Sequence, residues 1–176
     1  SRYKANFIND IAVLVLDVRT GGVLAYVGNS SQATATSQVD NIRSERSPGS
    51  LLKPILYAAM LSDGEITPKM IFSDTPLNLN GFTPINFSKS YQGIVPADEA
   101  VTRSLNVPLV RMLSQYGTGR FMSVLRGLGM TPLRHDEDYY GASLILGGAE
   151  ATLWDLTPLY ARLSRMLLKE EKEQRL

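Results

Sequence analysis

Residues 47–61, SPGSLLKPILYAAML, place a serine and a lysine three positions apart at the start of a nearly all-apolar segment. Residues spaced by three lie on one face of a helix, so the hydroxyl of Ser50 and the amine of Lys53 can meet. A helix that is apolar on every side is buried on every side, which predicts that Lys53 is buried too. Burial and the positive end of the helix dipole both lower the pKa of a lysine. The pattern therefore predicts a serine nucleophile with an uncharged amine as its base.

The start of this helix is restricted by Pro54, because proline lacks a backbone N–H and is tolerated only in the first turn. The helix must therefore begin close to Ser50, and the unpaired N–H groups of its first turn could donate to a developing oxyanion. The alternative is that Ser50 is only a helix cap, since Ser-x-x-Lys also occurs by chance, as at residues 1–4. The apolar helix and the buried lysine favour the catalytic interpretation.

A second candidate group is Ser104-Leu105-Asn106, which we predict to lie in a loop between two helices. A hydroxyl and an amide one residue apart could point the same way, relay a proton with Lys53 and hold a substrate amide. Serine and asparagine near helix ends also serve simply as caps and turn formers. For this triplet taken alone, that structural interpretation is favoured.

The strands that must support these groups are predicted near the N-terminus. Residues 11–27 contain two apolar runs rich in β-branched residues around Gly21-Gly22, which predicts a β-hairpin. Residues 29–46 are polar, which predicts a loop. Residues 67–95 contain several prolines, glycines and asparagines, so we expect this segment to cross the surface with little regular structure.

The remaining elements are predicted to be helices, because apolar residues recur with helical spacing between capping residues, prolines and glycines. The charged tail at residues 169–176 is expected to be frayed or solvated. The predicted helices run from Ser50 to Ser62, from Pro96 to about Ser104, from Pro108 to Gly117, from Thr118 to Gly127 or Gly129, and from about Thr152 to Leu168.

The composition excludes several functions. The chain has 176 residues, enough for one domain or a large part of a bigger one, and its net charge of +1 gives no indication of a nucleic-acid partner. It has no cysteine, which excludes a thiol nucleophile, disulfides and thiolate metal sites. No run approaches the roughly 18 apolar residues that span a bilayer, and the first residues do not form a secretory signal.

Other polar residues receive structural interpretations. His135 is the only histidine and is expected in a solvated loop, as is the acidic run at residues 136–138, rather than in a metal site. Gly147-Gly148 lacks the pattern of a phosphate-binding loop. Glu150 is interpreted as structural, at the start of a helix where a carboxylate is favourable. No metal or cofactor is predicted.

In this order, SPGSLLKP and TRSLNVP resemble the penicillin-interacting serine transpeptidases, whose motifs are Ser-x-x-Lys, Ser-x-Asn and Lys-Thr-Gly. The hairpin VLVLDVRTGGVLAYVGN is similar to the opening strands of such a domain. Residues 44–61, 72–108 and 143–163 are most similar to class A penicillin-binding proteins of the 1C type, which are bifunctional bacterial cell-wall enzymes. The resemblance runs over nearly all of residues 7–168.

The resemblance implies an α+β fold of the penicillin-binding protein and β-lactamase type, present in part over residues 1–176 as the N-terminal hairpin and the helical portion. It implies that Ser50 is the acylated nucleophile and Lys53 its base, with Ser104 and Asn106 lining the site. Ser50 would attack the D-Ala–D-Ala end of a peptidoglycan stem peptide, and β-lactams would acylate the same serine. The parent protein would be membrane-anchored and act in the periplasm, on the extracytoplasmic face of the bacterial inner membrane.

One departure from the family is that no Lys-Thr-Gly, Lys-Ser-Gly or His-Thr-Gly follows Asn106. We therefore expect a partial domain without the later strands of the sheet, with little or no catalysis by this chain alone. Two alternatives stay open. One is a non-catalytic domain that binds cell-wall peptide or β-lactam, or acts as a scaffold. The other keeps the chemistry but uses water as acceptor, as in a D,D-carboxypeptidase or a β-lactamase.

Overall fold

The structure is a computed structural model that describes residues 10–29 and 38–173. The chain forms two compact units, of which the second carries the predicted site. The first unit comprises Ser1–Arg46, Leu128–Pro132 and Ala151–Leu176, and the second comprises Ser47–Gly127 and Leu133–Glu150.

The first unit contains the predicted hairpin. Strands β1 (Val13–Leu16) and β2 (Val23–Val27) pair antiparallel, which confirms the prediction for residues 11–27. Gly21 adopts a φ of 75° in the turn, where a residue with a Cβ would be strained. The carboxylate of Asp17 accepts hydrogen bonds from the backbone N–H groups at the start of this turn, and they hold the pKa of Asp17 below its usual value.

The first unit also contains the C-terminal helix, α6 (Leu153–Glu173), which packs against β1. The guanidinium of Arg165 donates to the carbonyl of Val18 over 2.6 Å. The helix continues past the predicted end at Leu168, through residues 169–173. The reason is that lysine and glutamate are strong helix formers that prolong an established helix.

The second unit is built around buried helices. Its core helix is α3 (Asn106–Tyr116), in which seven of the eleven residues are buried. The predicted starts and ends of the helices in this unit hold to within a few residues. The other helices are α1 (Lys53–Ser62), α2 (Ala97–Thr102), α4 (Thr118–Gly127) and the single turn α5 (Glu137–Tyr140), with 3₁₀ helices at Gly49–Leu52 and Gly141–Leu146.

A small sheet in the second unit corrects the expectation for residues 67–95. Strands β3 (Ile71–Asp74) and β4 (Gly93–Pro96) pair antiparallel with Ile71 opposite Pro96. Each strand is only four residues long and is flanked by turn-forming residues, so its periodicity is too short to predict a strand. The pairing depends on the long connection that brings the two segments together.

Helices and two small antiparallel sheets among the described residues confirm the predicted α+β class. Within residues 10–29 and 38–173, no helix has both the length and the apolar character needed to cross a membrane.

Candidate active site

The segment Ser47–Leu52, here called the serine turn, leads directly into α1. The backbone N–H of Lys53 donates to the carbonyl of Ser50, so the first turn is a 3₁₀ helix and the α-helix proper begins at Lys53 rather than at Ser50. Ser50 is exposed, and neither helix start in this segment has a side-chain cap. The geometry therefore gives no support to the alternative that Ser50 is a helix cap.

The serine turn is held by a contact with Gly147, which the sequence analysis did not identify. The hydroxyl of Ser47 donates to the carbonyl of Gly147 over 2.6 Å and accepts from the N–H of Gly49 at 3.2 Å. A Cβ on Gly147 would lie 2.5 Å from Ser47 Oγ and 2.8 Å from Gly49 Cα, and its φ is 102°. Only glycine permits this close approach.

Lys53 is buried, as predicted, with 1% of its surface exposed. Its ammonium group donates to the carbonyl oxygen of Ser104 at 2.8 Å, to Ser104 Oγ at 3.2 Å and to Asn106 Oδ1 at 2.6 Å. Burial lowers the pKa of Lys53 to about 8, which confirms the predicted direction. Lys53, Ser104 and Asn106 are here called the lysine cluster.

The Ser-Leu-Asn corner differs in one respect from the prediction. Asn106 is the first residue of α3 and does not lie in an inter-helix loop, so Pro108 follows the helix start instead of making it. Ser104 has a φ of 52°, a left-handed backbone that costs free energy in a non-glycine residue and tends to occur at functional sites. From this conformation both its carbonyl and its hydroxyl contact Lys53.

The protonation state of Lys53 decides whether its amine can accept a proton from a hydroxyl. A lysine ammonium has three N–H donors, and the lysine cluster supplies three acceptors for them. A neutral amine has two N–H groups and a lone pair that can accept a proton from a hydroxyl. Among the described residues, no hydrogen bond joins Ser50 Oγ to Lys53 Nζ, so the structure brings the corner to the lysine more closely than it brings the serine.

Among the described residues, the polar side chains that we interpret as structural make no hydrogen bond to the lysine cluster. His135 is exposed and stacks on Tyr139, with ring centroids 3.9 Å apart. Two residues of the acidic run, Glu137 and Asp138, are helical instead of in a loop, because Asp136 caps α5 by accepting from the N–H of Tyr139 at 3.0 Å. Among the residues that the structure describes, no group of three His, Cys, Asp or Glu side chains could hold a metal ion.

Glu150 makes a structural contact, although not the predicted one. Its carboxylate accepts from the hydroxyl of Tyr140 at 2.7 Å, and this bond adds to burial in raising the pKa of Tyr140. Helix α6 begins only at Leu153, so Glu150 does not stand at a helix start. The bend of chain between the glycine pair and α6 accounts for the difference.

Comparison with known proteins places the chain in a family. The family model described as the penicillin binding protein transpeptidase domain matches residues 11–140 of this chain. This range includes both the serine turn and the lysine cluster. The chain therefore belongs to the penicillin-binding protein transpeptidase family, as its motifs indicate.

The similar curated proteins are class A members of this family. Penicillin-binding protein 1C of Escherichia coli is 35% identical over 159 residues, which are 89% of this chain and 21% of that protein. Penicillin-binding protein 1A of Neisseria gonorrhoeae is 31% identical over 157 residues, which are 85% of this chain and 19% of that protein. The chain thus spans about a fifth of the length of these relatives.

Solved structures confirm the fold. The PonA1 protein of Mycobacterium tuberculosis in complex with penicillin V superposes with a TM-score of 0.76 at 22% identity, covering 92% of this chain and 46% of that one. A second structure of PonA1 gives a TM-score of 0.73 at 24% identity. The described elements are those of part of a penicillin-binding protein transpeptidase fold.

Proposed function

We propose that this chain carries the nucleophile and the base of a peptidoglycan D,D-transpeptidase domain. The observation that carries the proposal is the buried Lys53, which makes three hydrogen bonds to the Ser-Leu-Asn corner and follows the exposed Ser50 by three residues. Family membership supports the same assignment, because the matched range 11–140 contains all four residues, and Ser50 with Lys53 and Ser104 with Asn106 have the spacing of two family motifs. Ser50 is the nucleophile, Lys53 its base, Ser104 a proton relay and Asn106 a substrate-binding residue.

The reaction begins with proton transfer from Ser50 Oγ to the neutral amine of Lys53. With a pKa of about 8, about a tenth of the lysine is neutral at pH 7. Ser50 Oγ then bonds to the carbonyl carbon of the penultimate D-Ala, and the C–N bond to the last D-Ala breaks. The proton held by Lys53 passes to the leaving amine, with Ser104 Oγ as the relay.

The resulting ester on Ser50 is resolved by an acceptor amine of a neighbouring strand. The amine attacks the ester carbonyl and gives up a proton to Lys53, and Ser50 Oγ recovers a proton as it leaves. A β-lactam would acylate the same oxygen by opening its ring, so no leaving group departs and the ester persists. Backbone N–H groups of the serine turn are candidates for donors to the oxyanion.

The partners and location follow from the family. The substrates are peptidoglycan stem peptides, the inhibitors are β-lactams, and the site of action is the periplasm, outside the bacterial inner membrane. The chain has no Lys-Thr-Gly after Asn106. We therefore expect the 176 residues alone to react slowly or not at all, and a non-catalytic binding or scaffold role is the second candidate.

The test is acylation by a fluorescent penicillin, followed by intact mass measurement, on this chain and on the longest gene product that carries it. A stable adduct that is absent in Ser50→Ala supports the transpeptidase. Ser62→Ala, another exposed serine at the end of α1, is the matched control and keeps the adduct.

Two results would redirect the proposal. No adduct on a folded, longest product favours the scaffold. Rapid loss of the adduct with release of hydrolysed drug indicates water as the acceptor, as in a carboxypeptidase or a β-lactamase.

A further inference from the structure

We propose that Asn86 and Asp74 are positioning residues, a buried pair that holds Asn106 against Lys53. The inference rests on the proposed function, since it assigns a role to residues behind the lysine cluster. Neither residue belongs to the three family motifs. Both are almost fully enclosed, with 2% of Asn86 and none of Asp74 exposed.

Asn86 caps the helix that carries Asn106. Its side-chain oxygen Oδ1 accepts from the backbone N–H of Asn106 at 2.9 Å and from that of Val107 at 3.3 Å. The first N–H groups of a helix have no hydrogen-bond partner within the helix. The residue at the capping position of α3 is Leu105, whose apolar side chain cannot accept a hydrogen bond from them. A residue twenty positions earlier therefore does the work of a cap.

The orientation of the Asn86 amide is determined by Asp74. The Nδ2 group of Asn86 donates to Asp74 Oδ1 at 2.7 Å and to the carbonyl of Ser90 at 3.0 Å. The second carboxylate oxygen of Asp74 accepts from the N–H of Gln92 at 2.9 Å. If the amide of Asn86 were flipped, its Nδ2 group would face the N–H groups at the start of α3. The carboxylate of Asp74 can only accept hydrogen bonds, so it attracts Nδ2 and leaves Asn86 Oδ1 facing the helix.

The neighbour of Asn86 acts on the side chain of Asn106. The carbonyl of Ile85 accepts from Asn106 Nδ2 at 2.7 Å. Because the amide nitrogen is thereby occupied, Asn106 Oδ1 is the atom presented to Lys53, at 2.6 Å. Residues 85 and 86 thus clamp Asn106 twice, by its backbone and by its side chain, and Asp74 fixes the clamp.

Packing alone does not require such a pair. Burying a carboxylate and an amide costs free energy that two apolar residues of similar size would not incur. The polar pair instead defines one orientation for Asn106. A displacement of about 1 Å in a catalytic group can reduce a rate about 100-fold, so such an orientation matters to the reaction.

Asn86→Ala tests the clamp with two measurements on the longest gene product that carries this chain. The first is hydrogen exchange at the amides of Asn106 and Val107, which we expect to accelerate. The second is the first-order rate of acylation at saturating fluorescent penicillin, which we expect to fall about 100-fold. Asn78→Ala is the matched control, because Asn78 is exposed in the same segment and caps only a local turn to Gly81.

An exchanged pair separates positioning from stability. In Asp74→Asn with Asn86→Asp, the new carboxylate at 86 still accepts from α3 and now also accepts from the amide at 74, although the donor to the carbonyl of Ser90 is lost. We expect each single change to slow acylation and the double change to recover part of the rate, after correction for the fraction folded. Should Asn86→Ala fail to fold, Asp74→Asn carries the test, because it preserves volume and leaves one oxygen for two donors, the amide of Asn86 and the N–H of Gln92.

Three results would overturn the inference. One is unchanged exchange at Asn106 and Val107 in Asn86→Ala. Another is faster exchange with acylation equal to that of Asn78→Ala, and the third is a double variant no faster than the slower single variant. If the wild-type protein forms no adduct, the proposed function fails, and the exchange rates still decide whether Asn86 holds the start of α3.

Discussion

Ser50 in the serine turn and Lys53 in the lysine cluster lie three residues apart in sequence but are held in opposite ways. The amine of Lys53 is buried and makes three hydrogen bonds, each to the corner at Ser104 and Asn106. Ser50 is exposed, and its turn is held indirectly, through Ser47 and Gly147. The proposed base is thus held by hydrogen bonds to its own amine, whereas the proposed nucleophile lies on an exposed turn that is held through its neighbours.

The contrast has an energetic side. The desolvation that lowers the pKa of Lys53 to about 8 makes it a better base near neutral pH, and the same desolvation disfavours its charged form in the folded protein. Ser50 carries no comparable cost, because its hydroxyl remains in water. The free-energy cost of the proposed site therefore falls on Lys53.

The largest effect should come from removing the proposed base, Lys53. Lys53→Met keeps the length of the side chain but cannot accept a proton, so we expect acylation of Ser50 to slow by about 10²–10⁴-fold. The measurement is the rate of adduct formation with fluorescent penicillin. Lys69→Met is the control, because Lys69 is an exposed lysine paired with Asp98. Equal rates for the two variants would contradict the assignment of Lys53.

The serine turn can be disturbed without touching Ser50. In Gly147→Ala the added methyl group meets Ser47 and Gly49, so we expect acylation to fall between about 10- and 100-fold. Overpacking and the left-handed backbone should also lower the free energy of unfolding by about 1–3 kcal/mol. The measurements are acylation rate and denaturant unfolding.

The matched control for that change is Gly127→Ala in α4, where nothing lies within 4 Å of the added carbon. It should leave acylation unchanged and stability unchanged or slightly higher. If Gly147→Ala behaves like this control, the turn does not depend on the close approach that the structure shows.

The smallest effect is that of pH. Because the pKa of Lys53 is about 8, the neutral fraction and hence the acylation rate should rise about tenfold between pH 7 and pH 9. The check is a profile of acylation rate against pH at saturating penicillin, with penicillin hydrolysis subtracted. The rise should vanish in Lys53→Met, and a wild-type profile that is flat over this range would show that the amine is not the base.

The free energy of unfolding provides an independent test of the lowered pKa of Lys53. Below pH 8 the lysine is protonated in both states and its burial is unfavourable. Between pH 8 and the ordinary lysine pKa of 10.5, the unfolded chain binds more protons than the folded one. The free energy of unfolding therefore rises with pH in this range. The free energy of unfolding of the wild type, measured relative to Lys53→Met, should therefore increase across this window.

Local features of the chain were predictable where neighbours in sequence supply the physical cause. The Gly-Gly turn of the hairpin, the helix start near Pro54 and the burial of Lys53 all follow from short patterns, and all are confirmed. The family followed from two motifs in order. The roles of Ser50, Lys53, Ser104 and Asn106 stay predictions until acylation is measured.

Predictions failed where a distant segment decides the outcome. The strands at 71–74 and 93–96 are too short to show a period, and only their pairing with each other makes them strands. Asn106 was expected in a loop, but the amide of Asn86 caps α3 and allows the helix to start there. The acidic run is the exception, because Asp136, the cap that makes the rest of the run helical, belongs to the run itself.

The amino-acid sequence alone determined which groups are available and which of them share a turn of chain, because spacing, burial of apolar runs and proline restrictions act over a few residues. The tertiary structure alone decided that Ser104 and Asn106 surround Lys53, and that Asn86 and Gly147 support the two halves of the site. These partners are 20 to 100 residues apart. Contacts over such separations depend on how the core packs, and no short pattern records that packing.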